Sequence, residues 1–343
     1  MSKSTVTFFQ AFGKNARFPC RENLPPCYNP QMQATAIEIV ACPKQAVKAC
    51  LELLMRELPD AQQQERIAAD QSATPTGLFA AIDDQTVVGA TWAQPFAGRT
   101  AFFWSPQLYQ GTPARVADTL TATATSYLQD SGCQFAQALV PTQSAPETQL
   151  YQRHGFVFVA NLLYLTAQTQ AIRPGIGKPK TLTFEPYHPT QLDRLVDIIQ
   201  QTYLGTLDCP RLNRVRDLHD VISGYRATGF HDPKVWFFVR DRDCDVGVLL
   251  LARHPQLCHS ELMYMGLIPA ARGQGHGRRI VRHALATATQ EGDQQLVLAV
   301  DRANLPAIAT YDHAGFTEWD RRTVLGWFPR GDFDELLNFA ADR

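Results

Sequence analysis

The sequence carries almost no excess charge of either sign. Its 32 lysines and arginines stand against 33 aspartates and glutamates, a formal net charge of −1. That gives no electrostatic reason to expect nucleic acid as a partner. No apolar run approaches the roughly 18 residues of a membrane span, and 246–252 is short enough to be a buried strand. The polar start holds only Phe8 and Phe9 as a short apolar step, which is too little for a signal segment. An irregular arm over 1–35 and a cytoplasmic location are therefore expected. Metal-ligand spacing is missing as well. Eight cysteines, at 20, 27, 42, 50, 133, 209, 244 and 258, form no Cys-x-x-Cys, and nine histidines form no His-x-x-x-His. Neither a structural zinc nor a catalytic metal has support, and reduced thiols are expected.

What is present is an ordinary globular composition, 45% hydrophobic and 19% charged over 343 residues, long enough for two domains. The first series of elements is a strand at 36–40, a helix at 44–58 and a hairpin of 78–82 with 86–92 around Asp83 and Asp84. A strand at 100–104, a helix at 112–128 and strands at 135–140 and 157–165 complete it. Residues 167–180, with Arg173, Pro174, Gly175, Gly177 and Pro179, read as a linker. The same order then returns. It runs through a strand at 181–186, helices at 191–203 and 212–225, and a hairpin of 235–239 with 246–253. Strands at 262–268, 295–300 and 323–328 follow, with a short helix over 331–343. Tyr151, Gly155 and Phe156 recur as Tyr311, Gly315 and Phe316, and Gly89 recurs as Gly247, each about 160 residues later. The repeat unit is a whole domain: 36–166, and again 181–330.

One stretch, 261–277, has no counterpart in chemistry. An apolar strand runs through a Pro-Ala-Ala turn into Arg272-Gly273-Gln274-Gly275-His276-Gly277. A helix follows, with Ile280, Val281, Ala284, Leu285 and Ala288 on one face and Arg278, Arg279, Arg282 and His283 on the other. Glycines at a helix mouth let the free N–H groups approach a phosphate, whose charge the helix dipole favours. A dinucleotide fold is a poor alternative, because the third glycine lacks the required offset and no parallel βαβ pattern surrounds it. The equivalent stretch of the first half, 105–113, has one glycine and no basic turn. The first half is therefore expected to keep the fold and lack the cradle.

Arg272-x-x-Gly275-x-Gly277 after a strand resembles the first signature of the GCN5-related N-acetyltransferases, the GNAT superfamily. Asn304 with Ala307, then Tyr311 and Gly315-Phe316, resembles the second. The tandem arrangement is similar to double-GNAT enzymes. The resemblance implies an α/β (α+β) fold of two tandem GNAT-like domains. Each would be a mixed, mostly antiparallel sheet flanked by helices, with splayed central strands holding acetyl-CoA as co-substrate. It implies that Met265, Gly266 and Leu267 pair with the pantetheine arm through their backbone. The amides of Arg272, Gly273, Gln274, Gly275, His276, Gly277 and Arg278 would hold the pyrophosphate, and Asn304 would touch the cofactor.

The implied reaction is acetyl transfer to an amine by direct attack. An amine with a lysine-like pKa of about 10.4 must first lose a proton, so a base is needed beside the splay. Glu261 matches the family's general-base glutamate, and His259 is the alternative. Tyr311 matches the tyrosine that protonates the departing thiolate, whereas Tyr151, in the half without a cradle, is expected to serve packing. Strand alternation predicts Glu261, Met263 and Met265 on one face and Tyr264 on the other. Asp208 either pairs with a cationic amine or caps a turn before Pro210. No base partner is visible for Cys209 or Cys258 as an acyl carrier. The acceptor is expected to be a small-molecule or peptide amine, with oligomeric state unreadable. A non-catalytic acyl-CoA-binding or regulatory module is the competing reading.

Overall fold

A computed structural model describes residues 36–56, 75–171, 182–213 and 215–329. The expected arm over 1–35, the end of the first helix at 57–58, most of the linker (172–180) and the terminal helix at 331–343 lie outside the described residues. The chain divides into two compact units. One runs to Phe158 and resumes at Val324, and the other is Val159–Thr323.

The first unit is built from β1 (Glu38–Ala41), α1 (Val47–Leu54), β2 (Leu78–Asp83), β3 (Thr86–Phe96) and β4 (Thr100–Leu108), followed by α2 (Arg115–Asp130), β5 (Phe135–Pro141) and α3 (Ala145–Arg153). Strands β1 to β4 form an antiparallel ladder, and β5 joins β4 in parallel. The long α2 turns Val116, Leu120, Ala124 and Leu128 inward, at intervals that place them on one helical stripe.

The second unit begins inside β6 (Val157–Gln168) and continues with β7 (Leu182–Pro186), α4 (Leu192–Tyr203), α5 (Leu218–Ala227), β8 (Trp236–Asp241) and β9 (Cys244–His254). Then come β10 (His259–Leu267), α6 (His276–Gln290), β11 (Gln295–Asp301), α7 (Leu305–His313) and β12 (Thr317–Trp327). Strands β7, β8, β9 and β10 are antiparallel neighbours, β11 runs parallel to β10, and β6 returns antiparallel to β11. Helix α4 buries Leu195, Ile198 and Ile199 on one side, each contributing about 1.5–3 kcal/mol relative to exposure.

The compact units do not follow the sequence repeat, because their last strands are exchanged. Leu163, Leu165 and Ala167, from the first half of the sequence, lie in the core of the second unit. Leu325 and Trp327, from the end of β12, lie in the core of the first, with Tyr151 and Phe156. Helix α5 begins at Leu218 and not at the expected 212. Asp217 accepts hydrogen bonds from the N–H groups of His219 and Asp220 and sets the start there. His283, expected on the polar face of α6, instead stacks on Phe184 with ring centroids 3.7 Å apart. Burial there lowers its pKa to about 4.

Candidate functional site

Strands β10 and β11 are paired at only four positions, from His259↔Gln295 to Leu262↔Leu298. Beyond these they part. Among the described residues, Tyr264, Met265, Gly266 and Leu267 pair with β9 alone, while Ala299, Val300 and Asp301 pair with β6. The backbone edges of Met265, Gly266 and Leu267 that face away from β9 thus border an opening, a place for an extended arm to add. Gly266 is needed there, since a Cβ would sit 2.7 Å from Thr202 Oγ1 and 2.8 Å from the Tyr264 hydroxyl. Gly247 is needed behind it, where a Cβ would meet the Gly266 carbonyl oxygen at 2.2 Å.

The strand also carries a register shift between Leu262 and Tyr264. Leu262 faces Leu251 and Tyr264 faces Leu250, so Met263 is an extra residue and the alternation changes sign. Glu261 consequently shares a face with Tyr264, and Met265 takes the other. The expected grouping of Glu261 with Met265 fails for that reason.

Past β10 the chain turns into α6. Gly273 and Gly275 take φ values of +75° and +78°, a left-handed backbone that favours glycine, and open space lies where their Cβ atoms would be. Gly275 is the N-cap and supplies no side-chain cap, so the first N–H groups of α6, at His276, Gly277 and Arg278, have no intrahelical acceptor. The Arg272 side chain is occupied elsewhere. It donates to the carbonyl oxygens of Leu267 (3.1 Å), Gly205 (2.9 Å) and Thr202 (2.8 Å). The cation thereby sits at the carboxyl end of α4, where the helix dipole is negative. Gln274 donates to the Ala270 carbonyl at 2.8 Å. The side chains of Arg272 and Gln274 therefore hold the loop's shape, and the backbone is what it offers to an anion. Gly277 packs near Thr310 of α7, a Cβ there falling 3.6 Å from its methyl.

Glu261 lies at the vertex of the opening, one residue before the strands part, and only 5% of it is exposed. Its Oε2 is 3.2 Å from His254 Nε2 on β9. The His254 ring lies 4.8 Å from that of His259. Tyr311 is buried against Phe316, and burial above all, with the negative Asp208 nearby, raises its pKa well above the ordinary phenol value. It is thus a neutral O–H donor at physiological pH.

Asp208 does not cap the turn before Pro210, whose N-cap is Cys209. It accepts a hydrogen bond from the Asp301 N–H at 3.0 Å and one from the Asn304 side chain, while Cys209 N–H donates back to Asp301 at 3.2 Å. The loop after α4 is so latched to the lip of β11. One side of Asp208 is exposed, yet protein packed around its carboxyl raises its pKa, and the neighbouring Asp301 adds to the rise. Asn304 caps α7 by accepting from the Ala307 N–H at 3.3 Å. Both ends of its side chain are thereby engaged within the protein. Burial and then the two aspartates push the Cys209 thiol far up, away from the thiolate form. Beside the loop, Tyr264 shares a 2.6 Å hydrogen bond with Thr202 and packs with Tyr203 and Tyr225, ring centroids 5.9 and 6.0 Å away.

The sequence alone missed His254 and Asp301. A register argument would have found the first: the turn at Pro255–Leu257 sets His254 opposite His259, and so beside Glu261.

Residues 194–316 match the model of the acetyltransferase (GNAT) family. The mycothiol acetyltransferase of Corynebacterium glutamicum is 33% identical over 107 residues, 31% of this chain and 36% of that protein. The mycothiol acetyltransferase of Jonesia denitrificans is 37% identical over 76 residues, 22% of this chain and 24% of that one. The chain therefore spans about a third or less of these curated relatives. Among solved structures, a GCN5-related N-acetyltransferase from Sphaerobacter thermophilus superimposes with a TM-score of 0.62 at 14% identity, covering 85% of this chain and 95% of that one. A tandem GNAT protein from the clavulanic acid biosynthesis pathway gives 0.50 at 13% identity, covering 85% and 98%. These likenesses establish the fold. Residues 194–316 are a domain of the acetyltransferase (GNAT) family, carried in a chain with a tandem GNAT-like architecture.

Proposed function

We propose that the protein is an N-acetyltransferase that moves an acetyl group from acetyl-CoA to an amine by direct attack, with its active site in the second unit. The observation that carries this reading is the parting of β10 and β11 directly before a helix mouth with a glycine N-cap. An extended thioester arm fits the first feature and a pyrophosphate fits the second. The residues present suit the ligand: the Met265, Gly266 and Leu267 backbone would hold the arm, and the amides from Gly273 to Arg278 the phosphates, with the exposed Arg278 adding charge. Asn304 would act by fixing the start of α7. When bound, acetyl-CoA supplies the activated carbonyl.

The chain's own groups move the protons. Glu261 takes one from the amine, directly or through a water, so that an N–H bond is exchanged for an O–H bond. The freed nitrogen would attack the carbonyl carbon and the carbon–sulfur bond would break. The departing thiolate would take the Tyr311 hydroxyl proton, and the second proton shed by the acylated nitrogen would return to the tyrosine oxygen by way of solvent. The mycothiol acetyltransferase relatives favour a small-molecule acceptor over a peptide. The proposed domain limits, 36–166 and 181–330, mark the repeat in sequence. Location in the cytoplasm is part of the same proposal; among the described residues no helix is long and apolar enough to cross a membrane.

The test is thiol release from acetyl-CoA with a panel of primary amines. Turnover with at least one amine, lost in Glu261→Gln, is expected. Tight CoA binding without turnover on any amine would favour the competing binding-module reading, as would full activity in Glu261→Gln for a different base.

A further inference from the structure

The two units carry different residues at equivalent places in the same ladder. In the second, His259 pairs with His254 across β9 and with Gln295 across β11, and Glu261 pairs with Val297. In the first, Thr100 pairs with Phe96 and with Phe135, and Phe102 pairs with Gln137. Phe102 thus stands where Glu261 does, Phe96 where His254 does, and Thr100 where His259 does. The carboxylate and the imidazole that touches it are both replaced by the same apolar ring. A buried polar group without a partner is costly, so this joint replacement marks the two as a unit.

The local geometry gives that unit a direction. The side chains of His254 and Glu261 are 2% and 7% exposed. A Cβ on Gly229, which has φ +57°, would lie 2.6 Å from His254 Cε1 and 2.6 Å from the Arg253 carbonyl oxygen. Backbone therefore closes on the imidazole as only a glycine there permits, and Phe230 bridges to Arg253 to hold that segment in place. The imidazole is braced by backbone and by the His259 ring while its Nε2 meets the carboxylate.

We propose that His254 is a positioning residue for Glu261. With its proton on Nε2, the imidazole donates to Oε2, fixes the carboxylate plane, and leaves Oε1 to accept the proton of the attacking group. This rests on Glu261 being the base. A side chain with three free torsions held in one rotamer keeps the base at attack distance, and a displacement of about 1 Å costs on the order of 100-fold in rate.

The experiment uses the full chain and thiol release from acetyl-CoA, with water as acceptor and with the amine panel. His254→Phe, the residue found at the matching place in the first unit, is expected to lower kcat about 30-fold while the KM for acetyl-CoA stays within about twofold. His254→Gln, whose amide N–H can still donate, is expected to recover most of that loss. In the Glu261→Gln background, His254→Phe should cost nothing further, since residues that act as a unit are not additive. Full kcat in His254→Phe, an additive loss in the double variant, or no recovery in His254→Gln would each overturn the proposal. Should His254→Phe fail to fold, His254→Gln and the double variant built with His254→Asn decide it by the same criteria. Wild-type rates in Glu261→Gln would instead sink the base assignment itself, and thiol release no faster than buffer in every form would overturn both.

Discussion

The two units open their sheets alike and fill the openings differently. In the first, β4 and β5 pair at three positions and then part, as β10 and β11 do after four. Both strands that border an opening carry a register shift, and both are backed by a glycine, Gly89 opposite Leu108 and Gly247 opposite Leu267. The splay therefore belongs to the fold and needs no ligand chemistry. What differs is the lining. In the first unit Tyr151 donates a 2.8 Å hydrogen bond to Ser105 on the parted strand. Trp104 donates to Gln94 at 3.0 Å and stacks on Trp92, and the following helix starts after Ala114 without a glycine mouth. In the second unit the vertex holds Glu261 with His254, and the helix opens on Gly273 and Gly275. A duplicated fold can keep its opening while only one copy keeps the groups that would use it.

The largest expected effect lies at the vertex. Glu261→Gln should lower turnover by 10²–10⁴-fold, the range of a general base, whereas Phe102→Leu in the first unit should leave kcat unchanged. Steady-state thiol release on both variants checks this.

The tyrosine pair sharpens the same contrast. Tyr311→Phe is expected to lower kcat by about 10–100-fold with little change in stability. Tyr151→Phe should leave kcat alone and cost about 1 kcal/mol of stability through the lost bond to Ser105, read by denaturant titration. Equal kinetic losses from the two would break the comparison.

At the helix mouth, Gly275→Val forces a left-handed residue to carry a branched side chain, which costs about 1–2 kcal/mol in backbone terms, and it fills the space above the amides. CoA affinity should fall about 10-fold or more by calorimetry. Gly111, with φ +91° in the turn that leads to the equivalent helix of the first unit, should accept valine with no change in CoA affinity.

The smallest effect concerns α6 itself. Burial holds the His283 pKa at about 4, below the ordinary 6.5. The unfolded chain therefore binds the proton more readily, and protonation favours unfolding. The stability that this neutral imidazole contributes is complete above pH 6.5 and is lost as pH falls toward about 4. His283→Phe should keep the stack on Phe184 and flatten the stability profile in that window; an unchanged slope would place the titration elsewhere.

Much of this was legible in residues. The recurring Tyr, Gly and Phe revealed the duplicated fold, and the glycines from 273 to 277 located the helix mouth. Among what escaped, three things depend on pairing across the chain. The extra residue at Met263 puts Glu261 and Met265 on opposite faces, and a bulge leaves no mark in an apolar run. The exchange of last strands moves Trp327 into one core and Leu165 into the other, and neither strand's own residues say which core it joins. The Asp208 latch to Asp301 joins residues that are distant in sequence, so a local cap was the natural reading.

The central claim is that the chain contains the fold twice and the cofactor site once. Isothermal titration of the full chain with CoA tests it most directly. One site per chain is expected, weakened by Gly275→Val and untouched by Gly111→Val; two sites per chain, or a single site that survives Gly275→Val and is lost in Gly111→Val, would contradict it.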